Sequence, residues 1–300
     1  MALQCPNQCV WRAYLGFIPP LRSSNRIGVG RKVRMASNTA PSYSFSLPNQ
    51  PAQPVSVIAS CNVNDTQFKA AIESSLFKQW VSNLQSRDGI LASGSLSLKQ
   101  VLIQNVDMFG KRVGFLKFEA DIFDNKTGQK VPGIVFARGP AVAVLILLES
   151  DGDTYVVLTE QARVPTGRFI LELPAGMLDD DTNDFVGTAV REVQEEIGIN
   201  LSKGDMVDLT ALLDPSCGRK IIPSPGGCDE EISLFVYRGS VDKETITKLQ
   251  GKETGLEEHG EFIKVRVVPY ASLWRMTADV KALSAIAIYE MAKHENLLPK

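Results

Sequence analysis

The sequence predicts an α/β/α sandwich with a mixed sheet, preceded by a small N-terminal antiparallel β module. Three observations lead there. An apolar run of strand length, AVAVLILLES (141–150), joins a second strand, TYVVLTEQARVP, through the hairpin-like turn SDGD. A helix that is apolar on one face and acidic on the other interrupts the succession of strands and stops at Gly198. Between residues 98 and 137 the pattern is alternation, VLIQNVDMF, RVGFLKFEADIFD and VPGIVFARG around a DNKTG turn, as expected of antiparallel strands.

The elements follow in order. Residues 1–64 hold six basic residues (Arg12, Arg22, Arg26, Arg31, Lys32, Arg34) and no acidic one. An acid-free leader rich in Ser, Arg and Asn reads as an organelle transit peptide, plastid ahead of mitochondrion. A disordered cytosolic tail is the plainer alternative. Met35, in VRMAS, marks either a cleavage neighbourhood or an alternative start, which leaves room for a plastid form and a cytosolic one. The Pro/Ser-rich residues 36–55 read as linker. Residues 65–85 have a helical period with Phe68, Ile72, Phe77 and Trp80 as candidate buried positions, and with the alternating segments they make up a module over 65–137. From 138 to 300 come the paired strands, the acidic helix, two further strands (ISLFVYRG and EFIKVRVVPY) and a closing helix, SLWRMTADVKALSAIAIYEMAKHE.

Composition narrows the function. Three hundred residues with 44% hydrophobic content suffice for one large domain or two small ones. A net charge of −2 and two histidines give no sign of a nucleic-acid or membrane surface, and no run of 18 apolar residues could span a bilayer. The five cysteines (Cys5, Cys9, Cys61, Cys217, Cys228) form no CxxC pair, so neither a zinc site nor a disulfide framework is indicated. Cys217 and Cys228 read as loop thiols, with a redox pair as the sharper alternative.

The most informative stretch is ELPAGMLDDDTNDFVGTAVREVQEEIGI (172–199). Its helix gathers Glu192, Glu195 and Glu196 behind Arg191, at spacings that bring side chains within about 5–6 Å. Three carboxylates so close repel one another, and a divalent cation reverses the sign of that cost; hard oxygen ligands suit Mg²⁺ or Mn²⁺. Val186, Val190, Val193 and Ile197 form an apolar stripe behind them.

These residues resemble the Nudix hydrolases. Gly176 opens that family's signature, and Arg191-Glu192-Val193-Gln194-Glu195-Glu196-Ile197-Gly198-Ile199 closes it. The middle departs: fourteen residues rather than thirteen lie between Gly176 and Arg191, and Thr182, Asn183 or Asp184 stands where the family has Glu. The resemblance covers roughly residues 130–295 and implies metal-assisted hydrolysis of a pyrophosphate bond. It implies metal ligands at Ala175 (through its carbonyl), Glu192 and Glu196, with Glu195 binding metal or orienting a metal water, and Arg191 holding the carboxylates.

Three more segments resemble the ADP-ribose and ADP-sugar pyrophosphatase branch, and within it the plant chloroplast ADP-sugar diphosphatases. SPGGCDEE supplies Ser224, Gly226 and Gly227 as expected substrate contacts. LEEHGEFIKVRVV places a further metal ligand at Glu261 and the general base at Glu258 or His259. TEQARVPTGRFILELPAG makes Arg163 the expected phosphate clamp, with Glu172 facing the base or ribose. The substrates implied are ADP-glucose and ADP-ribose, and the N-terminal module is expected to swap across a homodimer. Trp80, Phe115 and Phe118 either pack in the core or stack an adenine there.

Overall fold

The computed structural model describes residues 41–48, 50–178, 184–255 and 262–299. All of them belong to one compact unit, Ala40–Lys300. Its first half is a six-stranded sheet. Strands β1 (Ser42–Leu47) and β2 (Gln50–Ala59) lead into helices α1 (Asp65–Glu73) and α2 (Ser75–Gln85). The long hairpin β3 (Leu96–Phe109) and β4 (Arg112–Asp124) follows, then β5 (Lys130–Val131) and β6 (Ile134–Ala137). The order is β1-β2-β3-β4-β5, with β6 also on β4. All neighbours are antiparallel except β2 and β3, which run parallel from Ser56 to Ala59 against Gln100 to Ile103. A parallel pair needs a long crossover, and the two helices provide it.

The expectation of a linker over 36–55 is corrected here, because β1 and much of β2 occupy that range. Their strand character is masked by Pro and Ser, yet Leu47, Val55 and Val57 are buried. Pro51 and Pro54 lie before the residues that pair with β3, so the N–H groups they lack are not missed there. The helical period of 65–85 is broken once: Ser74 ends α1 and caps α2 by accepting the Phe77 N–H at 3.2 Å. Phe68, Phe77 and Trp80 are buried and Ile72 packs at the margin. Phe118 is fully buried, with its ring centroid 4.6 Å from that of Trp80. Trp80 and Phe118 are therefore core residues, while Phe115 lies outside that core, in a row with Phe109 and Phe136.

The second half is an eight-stranded sheet between helices. It comprises β7 (Ala141–Ser150), β8 (Asp153–Arg163), β9 (Arg168–Glu172), β10 (Ala175–Met177), α3 (Phe185–Glu196), β11 (Met206–Asp208), β12 (Ile232–Ser240), α4 (Lys243–Leu249), β13 (Glu253–Thr254), β14 (Ile263–Pro269), α5 (Tyr270–Leu273) and α6 (Val280–His294). The order is β11-β12-β7-β8-β14-β13, with β10 on β7 and β9 on β8. Only β12 and β7 are parallel, which makes the sheet mixed. Alternate residues of β7 serve two different cores. Ala141, Ala143, Leu145 and Leu147 meet Ala282, Ala285 and Tyr289 of α6, whereas Val142, Val144, Ile146 and Leu148 meet Ala189 and Val193 of α3. A strand covered on both faces reads as a continuous apolar run, which is what AVAVLILLES is. The β7–β8 turn has Asp151 and Gly152 at positive φ (53° and 85°), as a tight hairpin requires.

Two details differ from the sequence reading. The apolar stripe of α3 runs through Ala189 rather than Val190, because Ala189, Val193 and Ile197 are the residues with no exposure. The closing helix is two helices: Asp279 caps α6 by accepting the N–H groups of Lys281 and Ala282, after a break that follows α5. Among the described residues no helix is long and apolar enough to cross a membrane.

Because Phe118 packs on both Phe77 and Trp80, Phe118→Ala should cost about 3–5 kcal/mol of folding stability, measured by denaturant unfolding.

Candidate active site

Strand β10 and helix α3 meet where a side chain is missing. Gly176 pairs with Val142 of β7, and a Cβ at Gly176 would overlap the carboxylate of Glu192. The backbone and the carboxylate approach this closely only because the residue is glycine. One residue earlier, the Ala175 N–H donates to Glu196 Oε2 at 3.2 Å. Glu196 is only 9% exposed, and its carbonyl accepts from the Thr254 hydroxyl, which ties the helix end to β13. Gly198 follows at φ +80°, its N–H bonded to the Gln194 carbonyl at 2.9 Å, so the helix stops where the sequence predicts.

Two of the three glutamates thus converge on Ala175–Gly176. Glu195 is exposed instead, with an oxygen 3.9 Å from Arg191 Nε. Among the described residues no three His, Cys, Asp or Glu side chains converge as a metal cluster. The donors present still fit a hard divalent cation: Mg²⁺ keeps several waters and uses one or two protein carboxylates, completed by substrate phosphates. Burial of a carboxylate such as Glu196 is costly in itself, and positive charge at this junction would offset that cost.

Arg163 and Glu172 are brought together as a bidentate pair, Nε to Oε1 at 2.6 Å and Nη2 to Oε2 at 3.1 Å. This engages two of the five N–H donors of the guanidinium. Lys281, in the first turn of α6, donates to Glu172 Oε2 and to Asp279 Oδ1, both at 2.8 Å. Asp279 in turn accepts the Leu173 N–H at 3.2 Å. Burial works against each charge, but the partners outweigh it. Arg163 and Lys281 are raised above their ordinary range and Glu172 is lowered below its own. Glu196 also acts on the charge of Arg163, which places that cation in the field of this buried box carboxylate. The sequence reading missed Lys281 and Asp279. One signal was present: a cation in the first turn of a helix opposes the helix dipole and calls for an acidic partner.

SPGGCDEE forms a turn that feeds β12. The Ser224 carbonyl accepts from Cys228 N at 3.0 Å, and the Gly227 carbonyl accepts from Phe136 N at 2.8 Å. Asp229 receives the N–H groups of Arg138 and Gly139, which fixes the turn to the start of β7. Packing within the chain does not demand glycine at Gly226 or Gly227, since a Cβ at either would meet nothing within 4 Å. Strands β10 and β12 both pair with the first residues of β7, so Gly176 and Ser233, each opposite Val142, stand about 10 Å apart, two strand spacings. Lys220, also missed, lies just upstream of that turn, its ammonium bonded to Ser233 Oγ. Glu258, His259 and Glu261 lie outside the described residues, as do Thr182 and Asn183 in the altered part of the box. On either side of 256–261, Thr254, whose hydroxyl reaches Glu196, pairs with Ile263.

A lowered carboxylate contributes stability that is complete above its unfolded value of 4.5 and is lost as pH falls through the folded value. Glu172→Gln should therefore unfold at a lower temperature than the parent at pH 7, and the gap should close as the pH is taken below 4.5; thermal melts from pH 7 to pH 3 measure it.

The NUDIX domain model matches residues 137–287. The chain is 70% identical over 263 residues to "Nudix hydrolase 14, chloroplastic" of Arabidopsis thaliana, covering 88% of this chain and 85% of that protein. It is 28% identical over 199 residues to the "Methanol dehydrogenase activator" of Bacillus methanolicus, covering 64% of this chain and 95% of that one. Among solved structures, a crystal structure of an ADP compounds hydrolase aligns with 67% of this chain and 99% of its own, with 18% identity and a TM-score of 0.41.

Proposed function

The chain belongs to the NUDIX family of hydrolases, and on that premise we propose that it is a metal-dependent ADP-sugar diphosphatase, splitting ADP-glucose and ADP-ribose to AMP and a sugar phosphate. The observation that carries the reading is the junction of Ala175–Gly176 with Glu192 and Glu196, with Arg163 in its field. The substrate class rests on SPGGCDEE and on TEQARVPTGRFILELPAG, the segments that resemble the ADP-sugar branch.

A pyrophosphate repels an attacking water through its own charge. Mg²⁺ or Mn²⁺, when bound, neutralises that charge and lowers the pKa of a bound water. Glu192, Glu196, the Ala175 carbonyl and Glu261 would hold the metal. Glu195, on the exposed side, would orient a metal water. Arg163 clamps a phosphate with a planar fork that matches its geometry. Glu172 holds Arg163 in place before substrate arrives and lies within reach of the ribose. Ser224, Gly226 and Gly227 border the sugar-phosphate side. Glu258 or His259 removes the proton from the attacking water. The protein works as a homodimer in the plastid, the leader being its transit peptide.

The reading is tested by product analysis with Mg²⁺ and, separately, Mn²⁺ on ADP-glucose, ADP-ribose, UDP-glucose and a coenzyme A panel. AMP with glucose 1-phosphate or ribose 5-phosphate is expected, without cleavage of the coenzyme A compounds. Binding of ADP-sugars without turnover would make the chain a nucleotide-sugar sensor instead. Glu196→Gln should keep its melting temperature within a few degrees while kcat falls by orders of magnitude; near-parental turnover would remove Glu196 from the metal site.

A further inference from the structure

Lys220 is held in an unusual way. Its ammonium donates to the hydroxyl of Ser233, a residue only 1% exposed, and lies 3.8 Å from the centroid of the Phe185 ring. Both partners are neutral. Among the described residues no carboxylate stands within ion-pair distance, so the hydroxyl and the ring face fix the cation without cancelling its charge. Phe185 is the first residue of α3, the helix that carries the box glutamates. Ser233 lies opposite Val142 on β7, and Val142 lies opposite Gly176 on β10.

The faces agree as well. Val142 and Phe235 point into the core shared with α3, so Ser233, two residues from Phe235, points to the same side. The vacant Cβ direction of Gly176 also points there, at Glu192. Ser233, Val142 and Gly176 therefore form one row across three strands, and Lys220 sits at its far end. That row is about 10 Å long. Arg163 lies in the field of Glu196 on the β8–β9 side, and Lys220 stands on the β12 side, upstream of the SPGG turn by four residues. Burial pushes the Lys220 ammonium below its ordinary range, with Asp208 and Glu231 acting the other way.

We propose that Lys220 is a second cationic contact for the diphosphate, facing Arg163 across the metal-binding carboxylates and binding the phosphate on the sugar side. This rests on the ADP-sugar reading above. A diphosphate bridge with one negative charge on each phosphate, set beside two carboxylates, needs cations on both flanks, and a lysine supplies a point charge that tolerates different phosphate orientations. Lys220 thereby favours substrates with a charged group next to the sugar, and the SPGG turn supplies neutral contacts beside it.

The test compares the full-length parent with Lys220→Gln, which keeps a donor for Ser233, and Lys220→Arg, which keeps the charge. Each is assayed on ADP-ribose with Mg²⁺, with melting temperature as the check on folding. Lys220→Gln should raise KM about ten- to hundredfold with a smaller change in kcat, and Lys220→Arg should restore most of the loss. Inorganic pyrophosphate as a competitive inhibitor should weaken in parallel. If the parent hydrolyses ADP-ribose and Lys220→Gln matches it within twofold in KM, the assignment of Lys220 is wrong while the ADP-sugar reading stands. Equal losses in both variants, accompanied by a lower melting temperature, would make Lys220 a structural residue and equally overturn the proposal. If the parent hydrolyses no ADP-sugar, the underlying reading fails first.

Discussion

The site depends on the near-contact between the backbone of β10 and the carboxylates of α3. Gly176 leaves no Cβ, so Glu192 can lie against the strand, and the Ala175 N–H turns toward Glu196. Two negative side chains are thereby fixed against a rigid backbone. Electrostatic repulsion alone would splay them apart. They are held because the other face of the helix is buried: Ala189, Val193 and Ile197 lock α3 onto the even-numbered residues of β7. The odd-numbered residues of β7 are held from the far side by α6. Packing on both faces of one strand thus positions the helix that carries the carboxylates.

The same logic extends to the cations. Arg163 ends β8 and would be mobile on an exposed strand tip, but Glu172 grips it with two hydrogen bonds. Glu172 is in turn gripped by Lys281, and Lys281 by Asp279, the cap of α6. The cluster holds two cations and two anions, so Arg163 is positioned without a net excess of negative charge that would compete with a phosphate. Helix α6, more than a hundred positions further along the chain, is through Lys281 part of the support for Arg163. Lys220 is supported differently, by a hydroxyl and an aromatic ring.

How much was legible in the sequence varied with the range of the interaction. The acidic helix, its stop at Gly198 and the turn at Asp151–Gly152 are set by residues within a few positions of each other, and all three stand where the sequence places them. AVAVLILLES was recognisable because burial on both faces demands an unbroken apolar run. Strands β1 and β2 were not, since the apolar residues that they bury, Leu47, Val55, Val57 and Ala59, are scattered among prolines and serines. The parallel pairing of β2 with β3 joins residues more than forty positions apart and leaves no periodic trace. Lys281 reaches Glu172 across 109 positions, and Lys220 meets Phe185 through the fold alone. Membership in the family was legible because its signature concentrates chemistry into one short segment; the residues that tune that chemistry come from elsewhere in the chain.

The central claim is that Glu192 and Glu196, held against Ala175–Gly176, bind the divalent cation. Electron paramagnetic resonance titration of Mn²⁺ into the parent and into a Glu192→Gln/Glu196→Gln double variant tests it most directly, since free Mn²⁺ is counted without any substrate or turnover. The account predicts saturable binding in the parent and at least a tenfold weaker affinity in the double variant, with both proteins folded. Equal Mn²⁺ affinity in the two would contradict it and move the metal site away from the β10–α3 junction.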